Sequence, residues 1–422
     1  MRSALVGIES AIRRILSNRF LRGPFFSLGS QVVGLAQLAL LLFRAGANEA
    51  TDAYFYLFNI GMLPIQIVLV GVMYPLLLNQ ERFTQTALLR IRLLTPFLSI
   101  VLMAAGAWWL QSSGRLGTEL VPLALASTVN AFVQARLWYR AVTAEAGGDP
   151  RWIAGVALPA NVLGALALLV PWGSPTVAVT AMVSALIIGN TALLIYAAFK
   201  RVGDHVFNDA PRLKLRNSAD TGMYWFLSKS AVAYVGLTVL QSLAILLPPS
   251  SLTILNVAVK LVGSISATLV NAVMPVLVHQ NSDSQDGSRR FLRFLILAVT
   301  GGAVLLVAGV GAIESTWVVP AICVSLWALA SSVSSVSQRV AFRFLPPNAS
   351  RITLVVVPAV VALALLSTLA PGFQIVVLLC AYGSLDSFTA AVLLLSLRDR
   401  TAAGTMLAAC AGFMTIWALA LL

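Results

Sequence analysis

Charged side chains are scarce in this sequence: Asp, Glu, Lys and Arg make up 10% of 422 residues, against 59% that are hydrophobic. So few polar groups cannot cover a water-exposed surface, which excludes an ordinary soluble domain. Histidine and cysteine are scarcer still, at 2 and 3 residues. His205 and His279 have no partner one helical turn away, so no metal site is expected. Cys323, Cys380 and Cys410 stand singly in apolar runs and read as buried packing residues. A Walker A loop is missing, which excludes ATP-driven transport by this chain alone. No paired carboxylates and no Ser–His–Asp set appear, so no catalytic residue is assigned and the chain is not expected to be an enzyme.

What the sequence has in quantity is apolar runs of about 20 residues, the length of helix that crosses about 30 Å of hydrocarbon. Mean hydropathy is +0.90. Helices are expected because lipid cannot satisfy backbone N–H and C=O groups. The chain therefore reads as an all-α polytopic membrane protein. Its apolar runs include residues 24–46, 52–78, 222–247, 251–279, 373–397 and 403–422. With the N-terminus in the cytoplasm, every Lys and Arg except Arg44, Arg115, Lys229 and Lys260 falls at a cytoplasmic end. The net charge of +13 then serves orientation and contact with anionic lipid, and calls for no nucleic acid. Outside acids are limited to Glu49, Asp52, Glu119 and Glu314, too few for a membrane glycosyltransferase or ligase. Trp108, Trp109, Trp138, Tyr139 and Trp172 fit interfacial aromatic belts.

The stretch Ala50–Gln80 organises the rest, because the chain repeats it 200 residues later. Ile65, Leu69, Val70, Pro75, Leu77 and Gln80 recur as Ile265, Leu269, Val270, Pro275, Leu277 and Gln280. Ala124–Gln134 (ALASTVNAFVQ) likewise recurs as Ala328–Gln338 (ALASSVSSVSQ). Apolar sequence matches itself cheaply, but a shared offset near 200 points to duplication. Six spans is an even number, so the two halves run parallel. The expected order is an amphipathic segment over 1–23 on the inner leaflet, a six-helix lobe over 24–199 and a cytoplasmic linker over 200–221. A second six-helix lobe over 222–397 and one extra helix over 398–422 complete it. The run after residue 23 is too long for a signal-peptide core.

Ionisable residues inside spans cost several kcal/mol and tend to line a cavity or pathway. Lys229, Lys260 and Asp386 fall opposite Gly29, Ile60 and Leu186 in the other half. Residues shared by both halves build scaffold, and charges present in one half are candidates for function. Lys260 reads either as an anion site or as half of a buried ion pair between helices. Lys229 and Asp386 read either as a cation-dependent gate or as a snorkelling lysine and a polar helix break at GSLDS. Asp52 reads as a substrate-side acid or as a complement to a helix dipole. Arg136, Arg140, Arg339 and Arg343 read mainly as topology anchors.

Ala50–Phe58 (ATDAYFYLF), followed by Gly71, resembles the second helix of the lipid II flippases, a branch of the MOP exporter superfamily. Ala258-Val259-Lys260-Leu261 resembles that branch's A-D-R-L motif in helix eight. The resemblance implies a V-shaped bundle that moves an undecaprenyl-pyrophosphate-linked oligosaccharide from the inner to the outer leaflet by alternating access. It implies that Lys260, Asp52 and Lys229 contact substrate. It also implies that Asp386 and Lys229 couple transport to a cation, Na+ or H+, with no other cofactor. Lysine at 260 keeps the charge of the family's arginine but loses its bidentate fork. The chain departs from the pattern around Leu35–Gln37 and Ile65–Gln66, which are uncharged where the family carries arginines, and a weakly cationic cavity argues against lipid II itself. The expected setting is a bacterial cytoplasmic membrane, as a monomer among membrane lipids and glycan-assembly enzymes. A drug exporter of the same superfamily, or a non-transporting scaffold for envelope assembly, are the other readings that the residues leave open.

Overall fold

The computed structural model describes residues 19–74, 77, 85–146, 149, 151–204, 223–280, 286–313, 315–344 and 351–422. Most of the expected surface segment 1–23 and of the linker 200–221 lies outside them, as do Pro75, Gln80 and His205; so do the side chains of His279, Arg339 and Arg343. Thirteen helices make up the described chain. They are α1 Arg19–Ala45, α2 Glu49–Pro64, α3 Gln85–Ser112, α4 Val121–Ala146, α5 Arg151–Leu169, α6 Pro175–Phe199 and α7 Met223–Ala244. Then follow α8 Ser251–Gln280, α9 Asp286–Ile313, α10 Val318–Phe344, α11 Thr353–Ser367, α12 Ile375–Ser396 and α13 Arg400–Leu421. Among the described residues, 10 helices are long and apolar enough to cross a membrane, and Ser251–Ser266 and Thr353–Ser367 are shorter apolar helices. Phe43, Phe199, Leu297 and Leu305 stand exposed on helix flanks, a surface that suits lipid and not water. The protein is an all-α, multi-pass membrane protein.

Two compact units divide the chain, Met1–Ser230 and Ala231–Leu422. Inside the first, α2 packs on α3 and α4, α3 on α4, α4 on α6, α1 on α5, and α5 on α6. Inside the second, α8 packs on α10, α9 on α10, α10 on α12, and α11 on α12, the same pairs six helices later. The duplication read in the sequence thus reappears as a shared packing scheme. Small residues make these approaches close, as expected where lipid tails remove the hydrophobic drive between helices. A Cβ at Gly189 of α6 would lie 2.7 Å from Cα of Ala160 in α5. In the second unit the ring of Phe413 from α13 lies over Gly383 of α12. The indole of Trp417 donates to Ser367 Oγ of α11 at 2.9 Å, so α13 is built into this unit.

Helix ends follow local chemistry. Asn48 Oδ1 accepts from the N–H groups of Ala50 and Thr51 at 2.9 and 3.2 Å, while Thr51 Oγ1 accepts from Asn48 N at 2.9 Å. This reciprocal cap starts α2 at Glu49, before the residue 52 expected from hydropathy. Ser174 caps α6 and Pro175 occupies its first turn, where a missing N–H costs nothing. The apolar stretch from Ala50 is not one uniform helix: after Pro64 it continues as a π-helix, Ile65–Met73. Proline at 64 removes an N–H and crowds the carbonyl four residues back, which favours the wider winding. Ile65, Leu69 and Met73 on this segment nevertheless pack fully buried with Leu88, Ala135, Tyr139 and Val142. Tyr139 is therefore a core residue and no part of an interfacial belt, because its ring fills the space between α2, α3 and α4. Trp108 and Trp172 are exposed.

Gly189→Ala should lower the unfolding free energy in detergent by roughly 1–3 kcal/mol, the cost of overpacking a fixed interface. Gly302→Ala, where a Cβ meets nothing within 4 Å, should leave it unchanged. Parallel thermal melts of the purified variants check both.

Candidate functional site

Each unit carries one buried polar link at the same place in its scheme. In the first, Asn190 Nδ2 of α6 donates to Asn130 Oδ1 of α4 at 2.9 Å. In the second, the equivalent helices α10 and α12 are joined by Trp327 Nε1, which donates to Asp386 Oδ2 at 2.9 Å. The Ser331 hydroxyl, one turn along α10, also bonds the Asp386 side chain. Tyr382, one turn before Asp386, has its ring 5.0 Å from that of Trp327 and tilted 49° to it. Its hydroxyl donates to the Leu237 carbonyl at 3.2 Å and bonds Gln241. Asp386 is thus a buried acceptor served by an indole N–H and a hydroxyl, both from α10.

The GSLDS sequence does not break α12, which runs unbroken from Ile375 to Ser396. Ser387 Oγ donates to the Gly383 carbonyl at 2.7 Å, four residues back, so its hydroxyl is absorbed by the helix instead of competing with it. Ser384 Oγ turns to Met414 Sδ at 3.6 Å. Cys323 and Cys380 meet nearby with their sulfurs 3.9 Å apart, both fully buried and reduced. Among the described residues no group of three or more His, Cys, Asp or Glu side chains is placed to hold a metal ion.

Lys260 lies in the first half of α8, half buried. Asn256 and Ser264, each four residues from it, and Thr253, seven residues before it, are all buried and share its face. The Asn256 amide donates to the Leu252 carbonyl at 2.9 Å, and Ser266 meets Ser335 of α10 at 3.0 Å. Among the described residues no ion pair joins Lys260 to a carboxylate. The interhelical ion pair left open by the sequence is not formed among the described residues. Lys260 and Asp386 stand on the two helices that flank α10, and the structure does not join them.

The remaining predicted residues lie in the first unit. Asp52 is half buried in the first turn of α2, where its charge complements the helix dipole. Next to it, Glu49 reaches Arg115 at 3.8 Å. Lys229 is half buried in α7, just before the boundary between the units. Sequence reasoning missed Trp327, Ser331 and Tyr382. A signal for Trp327 existed: it sits mid-helix instead of at a membrane interface, and the other half carries Leu123 at the equivalent position.

Trp327→Phe should destabilise the protein by about 1–3 kcal/mol, the cost of depriving a buried acceptor of its donor. In an Asp386→Leu background the same change should cost far less. A double-mutant cycle by chemical or thermal unfolding in detergent measures that coupling.

No protein-family profile matches the chain, and no curated protein matches it in sequence. Among solved structures, the lipid II flippase MurJ in an inward closed conformation is similar at a TM-score of 0.60 and 12% identity, over 94% of this chain and 92% of that one. A chain named protein A is similar at 0.57 and 13%, over 93% and 97%. A eukaryotic MATE transporter aligns over 95% and 97% at a TM-score of 0.41 and 14% identity. The resemblance carried by Ala50–Phe58 and Lys260 is thereby borne out in the architecture: this chain has the fold of the lipid II flippase MurJ.

Proposed function

We propose that this protein is a flippase that carries a lipid-linked oligosaccharide, of undecaprenyl-pyrophosphate type, from the inner to the outer leaflet by alternating access. The observation that carries the reading is Lys260: a cation within an apolar helix, on a face with Thr253, Asn256 and Ser264, and paired with no carboxylate among the described residues. An unpaired charge in that setting costs several kcal/mol, a cost offset when an anionic group of the cargo arrives. The polar neighbours suit the phosphate oxygens and sugar hydroxyls of such a cargo. The likeness in fold to a lipid II flippase supports the same class.

On this reading Lys260 meets the pyrophosphate, and Asp52 and Lys229 contribute to the substrate path. Asp386 and Lys229 couple transport to a cation gradient, Na+ or H+, which replaces ATP as energy source. The protein works as a monomer in a bacterial cytoplasmic membrane with its N-terminus inside, alongside glycan-assembly enzymes, and performs no catalysis itself.

Conditional depletion should make one undecaprenyl-linked glycan accumulate in the inner leaflet, identified by lipid mass spectrometry. Lys260→Ala should fail to relieve the block while Lys260→Arg restores most of the flux, because arginine keeps the charge. No accumulation, or full complementation by Lys260→Ala, would overturn the reading in favour of a scaffold role.

A further inference from the structure

A second cationic group, made of residues not assigned to transport, lies in the first unit. Arg136 is on α4, and Arg92 of neighbouring α3 lies close enough for the two guanidinium groups to repel. Both are half buried. The nearby carboxylate, Asp204, is committed to Arg140 at 3.4 Å, and Arg140 also donates to the Val202 carbonyl at 3.0 Å. Neither Arg92 nor Arg136 has an acid partner among the described residues. Arg136 is held by its face, its guanidinium lying 5.4 Å from the centre of the Phe132 ring. Its Nε–H is buried and has no acceptor among the described residues. Two like charges on packed helices, one of them with a buried donor that has no partner among the described residues, form an arrangement that is unfavourable until an anion completes it.

The surroundings say what kind of anion. Leu125, Val129 and Phe132 are exposed on α4 at four- and three-residue spacings that lead to Arg136, and Leu89 and Leu93 are exposed on α3 beside Arg92. An apolar track that ends at a pair of guanidinium groups matches a molecule with a hydrocarbon chain and an anionic head. Guanidinium forks prefer phosphate among such heads because its oxygens accept in pairs.

We propose that Arg92 and Arg136 form a binding site for the phosphate of a membrane lipid, with the lipid's chain lying along the Leu125–Phe132 stripe. The site recognises a phosphate ester on a hydrophobic tail and not free phosphate. It stands or falls independently of the transported cargo, because none of its residues belongs to the substrate path proposed above.

Native mass spectrometry of the detergent-purified full chain tests this with phosphatidylglycerol, phosphatidylcholine and inorganic pyrophosphate as probes. Phosphatidylglycerol should bind at least about tenfold more tightly than phosphatidylcholine, tenfold being 1.4 kcal/mol. Arg92→Gln and Arg136→Gln should each remove most of that preference, while Arg90→Gln, an exposed arginine on the same helix, should leave it intact. If Arg136→Gln does not fold, Arg136→Lys, which keeps the charge and loses the Nε–H donor, should bind measurably more weakly than wild type. Equal binding of the two lipids, or a preference untouched in Arg92→Gln and Arg136→Gln, would show topology anchors only and overturn the proposal. Pyrophosphate that displaces the lipid at comparable concentration would overturn the lipid as the source of the phosphate.

Discussion

Hydrocarbon offers no hydrogen bond, and that single constraint orders the rest of this structure. Every polar side chain inside a helix must find a partner within the protein or carry the cost of having none. Most find one at once: Thr95, Thr128, Thr180, Ser184 and Ser367 turn back to the carbonyl four residues earlier on their own helix. Such hydroxyls are silent in packing terms. The links that join helices are fewer and consequently more informative. Asn130 with Asn190 and Trp327 with Asp386 tie equivalent helix pairs in the two units with different chemistry.

That difference shows how a duplicated fold diverges. The packing scheme is shared, because it depends on apolar surface and small residues, and many sequences supply both. The polar link is not shared, because it depends on two particular side chains meeting. In the first unit it is a neutral amide pair, which can be satisfied without charge. In the second it is a carboxylate, which needs donors from two turns of α10 and an aromatic wall beside it. A buried carboxylate held in that way fixes the α10–α12 contact more narrowly than an amide pair does.

Class, span order and duplication were legible in the sequence because they are written in period and repetition, which survive without knowledge of contacts. The lysine at 260 was legible as an anomaly for the same reason, since a charge in an apolar run needs no partner to be noticed. What stayed hidden depends on neighbours far apart in the chain. Trp327 looked like any membrane tryptophan until Asp386, 59 positions away, accepted its N–H. Tyr139 looked like a belt residue because its sequence neighbours are Trp138 and Arg140, yet its ring belongs to the core that Ile65 and Leu69 build. The winding of α2 after Pro64 was hidden too: hydropathy is the same for an α-helix and a π-helix, so only the proline hinted at it.

A distinction between the charges follows from the same constraint. Asp386 has its donors, Glu49 has Arg115, Arg151 has Asp149 at 2.6 Å and Arg140 has Asp204. Each of these groups has a partner within the protein, and for the Glu49–Arg115, Arg151–Asp149 and Arg140–Asp204 pairs removing one side would chiefly disturb local structure. Lys260 and the Arg92–Arg136 pair are not accounted for among the described residues. Both are cations, and both sit on helices whose neighbouring side chains are polar or apolar but not acidic. Cations with no acid partner among the described residues are the places where an anion from outside the chain would gain most. In a membrane the abundant anions are phosphates attached to hydrocarbon. The same physics that penalises an unpaired charge in the fold is therefore the common ground of the two proposals, one for Lys260 and one for Arg92 and Arg136.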